Sequence, residues 1–131
     1  MSQEDVKVVR RMYEAFHGGD ADGALTYFDP DVVVDASRRV DGATGRGRHE
    51  LAAIITEWVG AFEEWREEIE EIRDHGNQVY VVATQAGRGK GSGIEIETRY
   101  ALVYEIRSDK ITQMTIYLDP TEALEAMGLR E

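Results

Sequence analysis

Two stretches at the start of the chain carry the apolar spacing of helices. In the first, apolar residues recur every three or four positions, which places them on one face of a helix that Gly18 and Gly19 end. This stripe consists of Val6, Val9, Met12, Tyr13 and Phe16. The second stretch follows Asp20, a residue typical of an N-cap, and again has one apolar side. The pattern therefore predicts two N-terminal helices.

The next segments predict a strand, a loop and a further helix. Segment 31–36, DVVVDA, contains consecutive valines, whose branching at Cβ fits the pleated surface of a sheet. Segment 37–47 is polar and carries glycines, which predicts a loop. From 48 to 65 the apolar residues return to helical spacing, and we expect the longest helix of the protein here. Its apolar face comprises Leu51, Ile54, Ile55, Trp58, Phe62 and Trp65.

The segment 66–77, REEIEEIRDHGN, gives conflicting signals. Its local propensity favours a helix, whereas the turn residues Asp74, Gly76 and Asn77 favour a strand that forms a hairpin with the segment that follows. We interpret it as a strand.

The remainder of the chain alternates with a period of two. Segments 78–89, 93–107 and 110–118 are joined by short turns, so they predict an antiparallel meander. The glycine-rich stretch 87–93, GRGKGSG, lies between the first two. Its spacing fits neither a dinucleotide fingerprint nor a P-loop, and we interpret it as a hairpin tip. A final short helix is predicted after Asp119.

The composition limits the class of protein. The chain has 131 residues, 42% of them hydrophobic, which suits a single domain over 1–131 that buries about two-thirds of the surface of its unfolded chain. The net charge of -11 would repel a nucleic acid. The sequence has no cysteine, no apolar run of about 20 residues and no apolar core of a signal peptide. We therefore expect a cytoplasmic protein with no nucleic-acid or membrane partner.

No part of the sequence predicts a metal site. The stretch HELAA resembles the zinc-protease motif, but Ala53 stands where the second histidine would be, so one ligand is present where two are needed. Six glutamates between Glu63 and Glu71 alternate with apolar residues, which favours a solvated face over a cation site. We expect neither a metal nor a cofactor.

Aromatic residues are concentrated on the faces predicted to be internal. The set is Tyr13, Phe16, Tyr27, Phe28, Trp58, Phe62, Trp65, Tyr100 and Tyr104. Most would pack in a core, but buried tyrosine and tryptophan need polar partners, so several of them in one volume indicate a cavity with polar groups. Asp35 is the carboxylate set within the valine strand. It is either an edge charge that faces water or a cavity acid suited to proton transfer.

The order of predicted elements and three phrases resemble the SnoaL-like and ketosteroid-isomerase-like superfamily, which has the nuclear transport factor 2-like cone fold. The phrases are VRRMYEAFHGGDADGALTYFDPDVVVD, GRGRHELAAIITEW and YEIRSDKITQMTIYLDPTEALEAMGL. The resemblance covers nearly the whole chain. It implies an α+β fold in which a curved antiparallel sheet wraps around a long helix with two N-terminal helices, the cystatin-like cone barrel. It also implies a pocket between the long helix and the concave face of the sheet, and a homodimer.

The residues that are catalytic in the resembled enzymes are replaced here. The position of the carboxylate base near the end of the first strand matches Ala36, one residue after Asp35, and a shift of one residue in a strand reverses the face unless a bulge restores it. The acid that donates to the oxyanion matches Leu102. Positions that often carry His or Asp match Met114 and Ile116.

Two hypotheses of function follow. The first is a cofactor-independent lyase or isomerase that acts on a small hydrophobic, polyketide-like or steroid-like molecule, with Asp35 as base and Tyr13 or Tyr100 as the hydroxyl that stabilises negative charge. The second is a non-catalytic small-molecule-binding or dimeric accessory module. A solid core without a cavity is a third possibility. The residues expected to line the pocket are Phe16, Trp58, Phe62, Leu102, Tyr104, Met114 and Ile116.

Overall fold

The computed structural model describes residues 2–39 and 42–129. Within them it contains four helices and six strands. The helices are α1 (Ser2–His17), α2 (Ala21–Leu25), α3 (Arg48–Gly60) and α4 (Pro120–Ala126). The strands are β1 (Phe28–Asp35), β2 (Thr44–Arg46), β3 (Phe62–His75), β4 (Gln78–Gly89), β5 (Glu95–Arg107) and β6 (Lys110–Tyr117). The predicted α+β fold is confirmed.

The strands form one curved, unclosed sheet in the order β2-β1-β6-β5-β4-β3. Strands β3 to β6 are a meander of antiparallel neighbours, as the period of two predicted. One pair departs from the antiparallel arrangement of the sheet, because β1 and β6 run parallel. These two strands are far apart in the sequence and are not joined by a hairpin, so nothing forces them to run in opposite directions.

The two faces of the sheet bury different clusters. On the concave face, α1, α2 and α3 pack against a large apolar core that includes Val32, Val34 and Leu102. On the convex face, α4 packs over a smaller cluster that includes Tyr80 and Tyr117. The middle of β5 is therefore buried on both sides.

The predicted helix over 48–65 is too long. Helix α3 ends at Gly60, and the longest helix is α1. The chain then enters β3, where Phe62 lies opposite Gly89 of β4. The register shifts between Glu63 and Arg66, where Glu64 has a positive φ of 56°, and this irregularity is a bulge. Beyond this bulge the segment 66–72 pairs with β4, which confirms its interpretation as a strand.

The predicted loop over 37–47 contains the short strand β2, which pairs with the end of β1. Residues 40 and 41 of that loop lie outside the described residues. The stretch 87–93 is a hairpin tip between β4 and β5, as predicted. Its Gly91 and Gly93 have φ values of 84° and 69°, which glycine adopts without strain. In the described part of the chain, no helix is long and apolar enough to cross a membrane.

Candidate functional site

A cavity of about 390 Å³ lies between the three helices α1, α2, α3 and the concave face of the sheet. Small-molecule sites usually have volumes of about 300 to 1,000 Å³. Most of the wall is aliphatic or aromatic. It is lined by Met12, Tyr13, Phe16, Ala21, Ala24, Leu25, Phe28, Leu51, Ala52, Ile55, Thr56, Trp58, Val59, Gly60, Trp65, Glu67, Leu102, Tyr104 and Met114.

The structure brings together some of the site residues expected from the sequence. Tyr13, Phe16, Trp58, Leu102, Tyr104 and Met114 all line the cavity. Three others lie in the surrounding core and are not part of its wall. Phe62 packs against the core from β3, and Ile116 and Tyr100 are almost fully buried.

Asp35 does not reach the cavity. Its neighbours Val34 and Ala36 point into the concave core, so the alternation of β1 sends the Asp35 side chain to the convex face. The irregularity in the pairing of β1 lies between residues 28 and 33 and leaves this alternation intact. One carboxylate oxygen accepts hydrogen bonds from the amide and hydroxyl of Ser37, and the other lies 3.6 Å from Arg38 Nη1. These Ser37 hydrogen bonds, with the charge of Arg38, lower the pKa of Asp35.

The carboxylate in the cavity wall belongs to Glu67, in the middle of β3. Its side chain is only 4% exposed. One oxygen accepts a hydrogen bond from Tyr100 Oη, and the other lies 2.9 Å from Nε2 of His17, at the end of α1. A buried carboxylate is costly unless it is paired, and these two partners meet that requirement. Neither His17 nor Tyr100 is itself part of the cavity wall.

Two tyrosine hydroxyls lie close together in the same wall. The Oη atoms of Tyr13 and Tyr104 are 2.5 Å apart, and their rings meet edge to face at 83°. Burial raises the pKa of both phenols, and the charge of Glu67 adds to the effect. Both hydroxyls therefore remain protonated and able to donate over the physiological range.

The pKa of Tyr100 is raised by the same two causes, burial and the charge of Glu67. Burial raises its pKa far above the ordinary value, and the adjacent Glu67 carboxylate raises it further. Because Tyr100 stays protonated, it donates to Glu67 and holds that carboxylate in place. Its ring also contacts the Trp58 ring edge to face, with the ring centroids 5.3 Å apart.

The indole groups of the wall are fixed by one amide. Trp58 Nε1 and Trp65 Nε1 donate to Gln85 Oε1 over 2.7 and 3.0 Å. Their polar atoms are thus satisfied away from the cavity, and the rings contribute apolar surface to it. The guanidinium of Arg39 lies 4.6 Å from the centroid of the Trp58 ring, a cation–π contact.

The sequence interpretation missed Glu67 because it treated the glutamates of β3 as a solvated face. The alternation of Trp65, Glu67 and Ile69 carried a signal, since the outer two are apolar and share a face with the middle one. No comparable signal marked His17, whose contact with Glu67 joins residues 50 positions apart. Among the described residues, no group of three or more His, Cys, Asp or Glu is arranged to hold a metal ion.

The arrangement combines a buried carboxylate with hydroxyl donors in an apolar cavity. A carboxylate can accept a proton from a bound molecule, and the hydroxyls can stabilise the negative charge that then develops.

Comparison with known families identifies the fold. The profile of the SnoaL-like domain matches residues 9–114. The chain belongs to the SnoaL-like family. Comparison with curated proteins gives no match.

Solved structures with the same fold are distant in sequence from this SnoaL-like chain. An NTF2-like protein of unknown function from Burkholderia pseudomallei is 24% identical, with 93% of this chain and 95% of that chain covered and a TM-score of 0.77. TerC co-crystallised with polyporic acid is 19% identical, with 95% and 98% covered and a TM-score of 0.78. A protein of ketosteroid isomerase-like fold from Catenulispora acidiphila, in complex with trimethylamine, is 22% identical, with 94% and 93% covered and a TM-score of 0.73. At these identities the likeness establishes the fold.

Proposed function

We propose that this SnoaL-like protein binds a small hydrophobic carbonyl compound in the cavity and transfers a proton on it without a cofactor, as a lyase or isomerase does. The observation that carries the proposal is the 4% exposed carboxylate of Glu67 in the wall of an otherwise apolar cavity. Glu67 therefore replaces Asp35 as the candidate base, because Asp35 lies on the other face of the sheet.

Binding depends on apolar burial. The walls present the rings of Phe16, Phe28, Trp58 and Trp65, which suit a flat or cyclic molecule. Removing apolar surface from water contributes about 25 cal/mol per Å², so a ligand of this size gains most of its affinity from burial. The few polar groups of the wall then fix its orientation.

Proton transfer uses the carboxylate and the tyrosine pair. Glu67 accepts a proton from the carbon next to the ligand carbonyl, so the C–H bond breaks and an O–H bond forms. The electron pair of the C–H bond forms a C=C bond, the π pair of the carbonyl group moves to its oxygen, and the ligand becomes an enolate. Of the Tyr13 and Tyr104 hydroxyls, one donates to the other, and the second keeps its own hydrogen for the ligand oxygen. A donor placed in this way stabilises the developing charge by about 3 kcal/mol.

The charge balance of this step suits the site. Before the transfer, the negative charge resides on Glu67, and its field raises the pKa of all three neighbouring tyrosines. After the transfer, Glu67 is neutral and the charge resides on the ligand oxygen. This step therefore moves one negative charge from Glu67 to the ligand oxygen and adds none.

Two of the structural neighbours support the small-molecule part of the proposal. TerC was crystallised with polyporic acid, and the Catenulispora acidiphila protein is in complex with trimethylamine. The same fold thus accommodates small organic molecules in other proteins.

The resemblance also leads us to propose a homodimer, which light scattering on the purified protein would test.

The test is hydrogen exchange at the carbon next to a carbonyl. 1-Tetralone is a small, apolar, cyclic ketone, and its α-protons can be followed by proton NMR in D₂O. We expect the wild-type protein to accelerate their exchange and Glu67→Gln to reduce the acceleration by about a hundredfold or more. Glutamine keeps the shape of the side chain and removes its basicity.

The matched control is Glu68→Gln. Glu68 is the next residue of β3, and its side chain is exposed, so the variant makes the same chemical change outside the cavity. It should exchange at the wild-type rate. If Glu67→Gln and Glu68→Gln both matched the wild-type protein, Glu67 would not be the base.

A second candidate function is ligand binding without chemistry. The observation that favours it is that both oxygens of Glu67 already have protein partners, while Ala36, Leu102, Met114 and Ile116 occupy the positions of family acids. This candidate predicts that 1-tetralone binds, seen as a change in tryptophan fluorescence, with no acceleration of exchange.

A further inference from the structure

The contact between His17 and Glu67 connects the cavity to solvent. Of the two described side chains that hydrogen-bond Glu67, Tyr100 is only 2% exposed, whereas the His17 side chain is 31% exposed. The Tyr13 and Tyr104 hydroxyls are also buried. A proton that leaves Glu67 through these contacts therefore reaches water by way of His17.

The position of the His17 ring is fixed from several sides. Its Nε2 lies 2.9 Å from Glu67 Oε1, within reach for proton transfer. Its ring centroid lies 5.5 Å from that of Tyr13 and 5.8 Å from that of Phe16. His17 is also the last residue of α1, where the carbonyl end of the helix dipole favours a positive charge.

We propose that His17 is the proton-relay residue of this site and exchanges the proton of Glu67 with solvent. The inference rests on the proton transfer proposed for Glu67. His17 does not line the cavity, so it acts through the carboxylate and not on the ligand.

The relay is a simple acid–base exchange. Glu67, protonated by the ligand, passes its proton to Nε2 of a neutral imidazole that carries its hydrogen on Nδ1. The O–H bond breaks, an N–H bond forms, and the carboxylate and imidazolium are left as an ion pair. The partly exposed His17 ring then turns so that Nε2–H meets water, gives this proton to water, takes another proton from it and returns the new proton to the Glu67 carboxylate, which restores the neutral imidazole with its hydrogen on Nδ1. No other reactant is needed.

Without the relay, the proton stays on Glu67 and returns to the ligand. Cleavage of the C–H bond is then not detected in the assay, because the ligand regains its own proton and takes up no deuterium from the solvent. The relay therefore determines whether α-protons are exchanged with solvent or conserved on the ligand.

The variant His17→Gln tests the relay. Glutamine can still donate a hydrogen bond to Glu67, but its amide cannot carry a proton between the carboxylate and water. We expect exchange of 1-tetralone α-protons to slow by about tenfold or more. The matched control is His75→Gln, at an exposed histidine that ends β3, and this variant should exchange at the wild-type rate.

The primary isotope effect separates a relay from a structural role. In the wild-type protein, cleavage of the C–H bond limits exchange, so α-deuterated 1-tetralone followed in H₂O should exchange much more slowly than the protiated ketone followed in D₂O. In His17→Gln, release of the proton from Glu67 becomes limiting, and the isotope effect should fall. A merely displaced Glu67 would slow bond cleavage itself and keep the isotope effect large.

Chemical rescue gives an independent readout. In His17→Ala, imidazole added to the solution should restore exchange by taking the place of the missing ring, and it should have no effect in a His17→Ala, Glu67→Gln double variant. Wild-type exchange in His17→Gln, or failure of rescue together with an unchanged isotope effect, would overturn the relay alone. A wild-type protein that exchanges no ketone proton would overturn the proposed proton transfer, and the relay with it.

Discussion

Asp35 and Glu67 are carboxylates on opposite faces of one sheet, and their surroundings differ in every respect. The Asp35 side chain is 34% exposed on the convex side, where Ser37 and Arg38 hold it. The Glu67 side chain is 4% exposed in the wall of the concave cavity, where His17 and a buried tyrosine hold it. Asp35 has the polar, cationic partners of a surface acid. Glu67 has the aromatic, low-dielectric setting in which a base can act on a bound molecule.

The difference between the two positions is a matter of strand alternation. On β1, the concave positions are Val32, Val34 and Ala36, so Asp35 falls on the other face. On β3, Glu67 shares its face with Trp65, which lines the same cavity. A shift of one residue along either strand would exchange these roles. Chemistry on the concave face therefore depends on which face of a strand carries the acid.

The largest predicted effect is a loss in the free energy of unfolding at alkaline pH, caused by the tyrosines buried on the concave side. Burial raises the pKa of Tyr13, Tyr100 and Tyr104, so the folded protein resists losing these protons while the unfolded chain gives them up near pH 10. The stabilisation is complete below that pH and is lost as the pH rises toward the folded-state pKa values. Each tyrosine should lower the free energy of unfolding by about 1 kcal/mol per pH unit above 10.

Urea unfolding between pH 9 and 11 would measure this slope. Tyr104→Phe should make it shallower by the contribution of one tyrosine. A slope that Tyr104→Phe leaves unchanged would mean that the phenol ionises as freely in the folded protein as in the unfolded chain.

The second prediction compares tyrosines on the two faces. Replacing Tyr13 or Tyr104 by Phe removes a hydroxyl of the pair in the cavity wall and should slow ketone exchange by about a hundredfold, the value of one oxyanion donor. Tyr117→Phe is the matched control, because Tyr117 is buried on the convex side beneath Arg38. Exchange rates at saturating 1-tetralone give the comparison. Equal losses in all three variants would point to a general effect on folding.

The third prediction concerns stability when each acid is truncated. Glu67→Ala leaves the buried hydroxyl of Tyr100 without its acceptor, which should cost about 1 to 3 kcal/mol of the free energy of unfolding. Asp35→Ala should cost less than about 1 kcal/mol, because its partners can turn to water. Urea unfolding at pH 7 measures both, with Glu68→Ala as the exposed reference. A larger loss at Asp35 than at Glu67 would reverse the comparison.

The smallest predicted effect is the response of Asp35 to acid. Its hydrogen bonds to Ser37 and the charge of Arg38 lower its pKa, so its contribution is present above the unfolded pKa and is lost as the pH falls through the lower folded-state value. The gap in stability between the wild-type protein and Asp35→Asn should be below about 1 kcal/mol at pH 7 and should close in acid. A gap that stays constant down to pH 2 would contradict this account.

Much of the fold could be predicted because each local signal agreed with the tertiary arrangement. Valines at 32–34, the period of two after residue 78 and the glycine hairpin tip each specify one structure. The end of α3 could not be predicted, since Phe62 and Trp65 continue the helical spacing of Trp58. Pairing of β3 with β4 overrides that spacing, and the bulge at Glu64 hides the strand period at the point where the change occurs.

The site was less accessible to prediction for a physical reason. The hydrophobic members of the wall follow from periodicity, because each belongs to the apolar face of its own element. The polar members depend on contacts between elements far apart in the sequence, such as His17 on α1 with Glu67 on β3. A glutamate in a run of glutamates looks solvated until the face of the strand is known. Alternation with Trp65 and Ile69 gave the face, but helix propensity in the same segment obscured it.

The most direct test of the central claim compares the two carboxylates while a ligand binds. Carbon-13 NMR of protein labelled at the carboxyl carbons of Asp and Glu can follow both, with assignments from Asp35→Asn and Glu67→Gln. We predict that saturating 1-tetralone shifts the Glu67 resonance and leaves that of Asp35 in place. A shift at Asp35 with none at Glu67 would contradict the account.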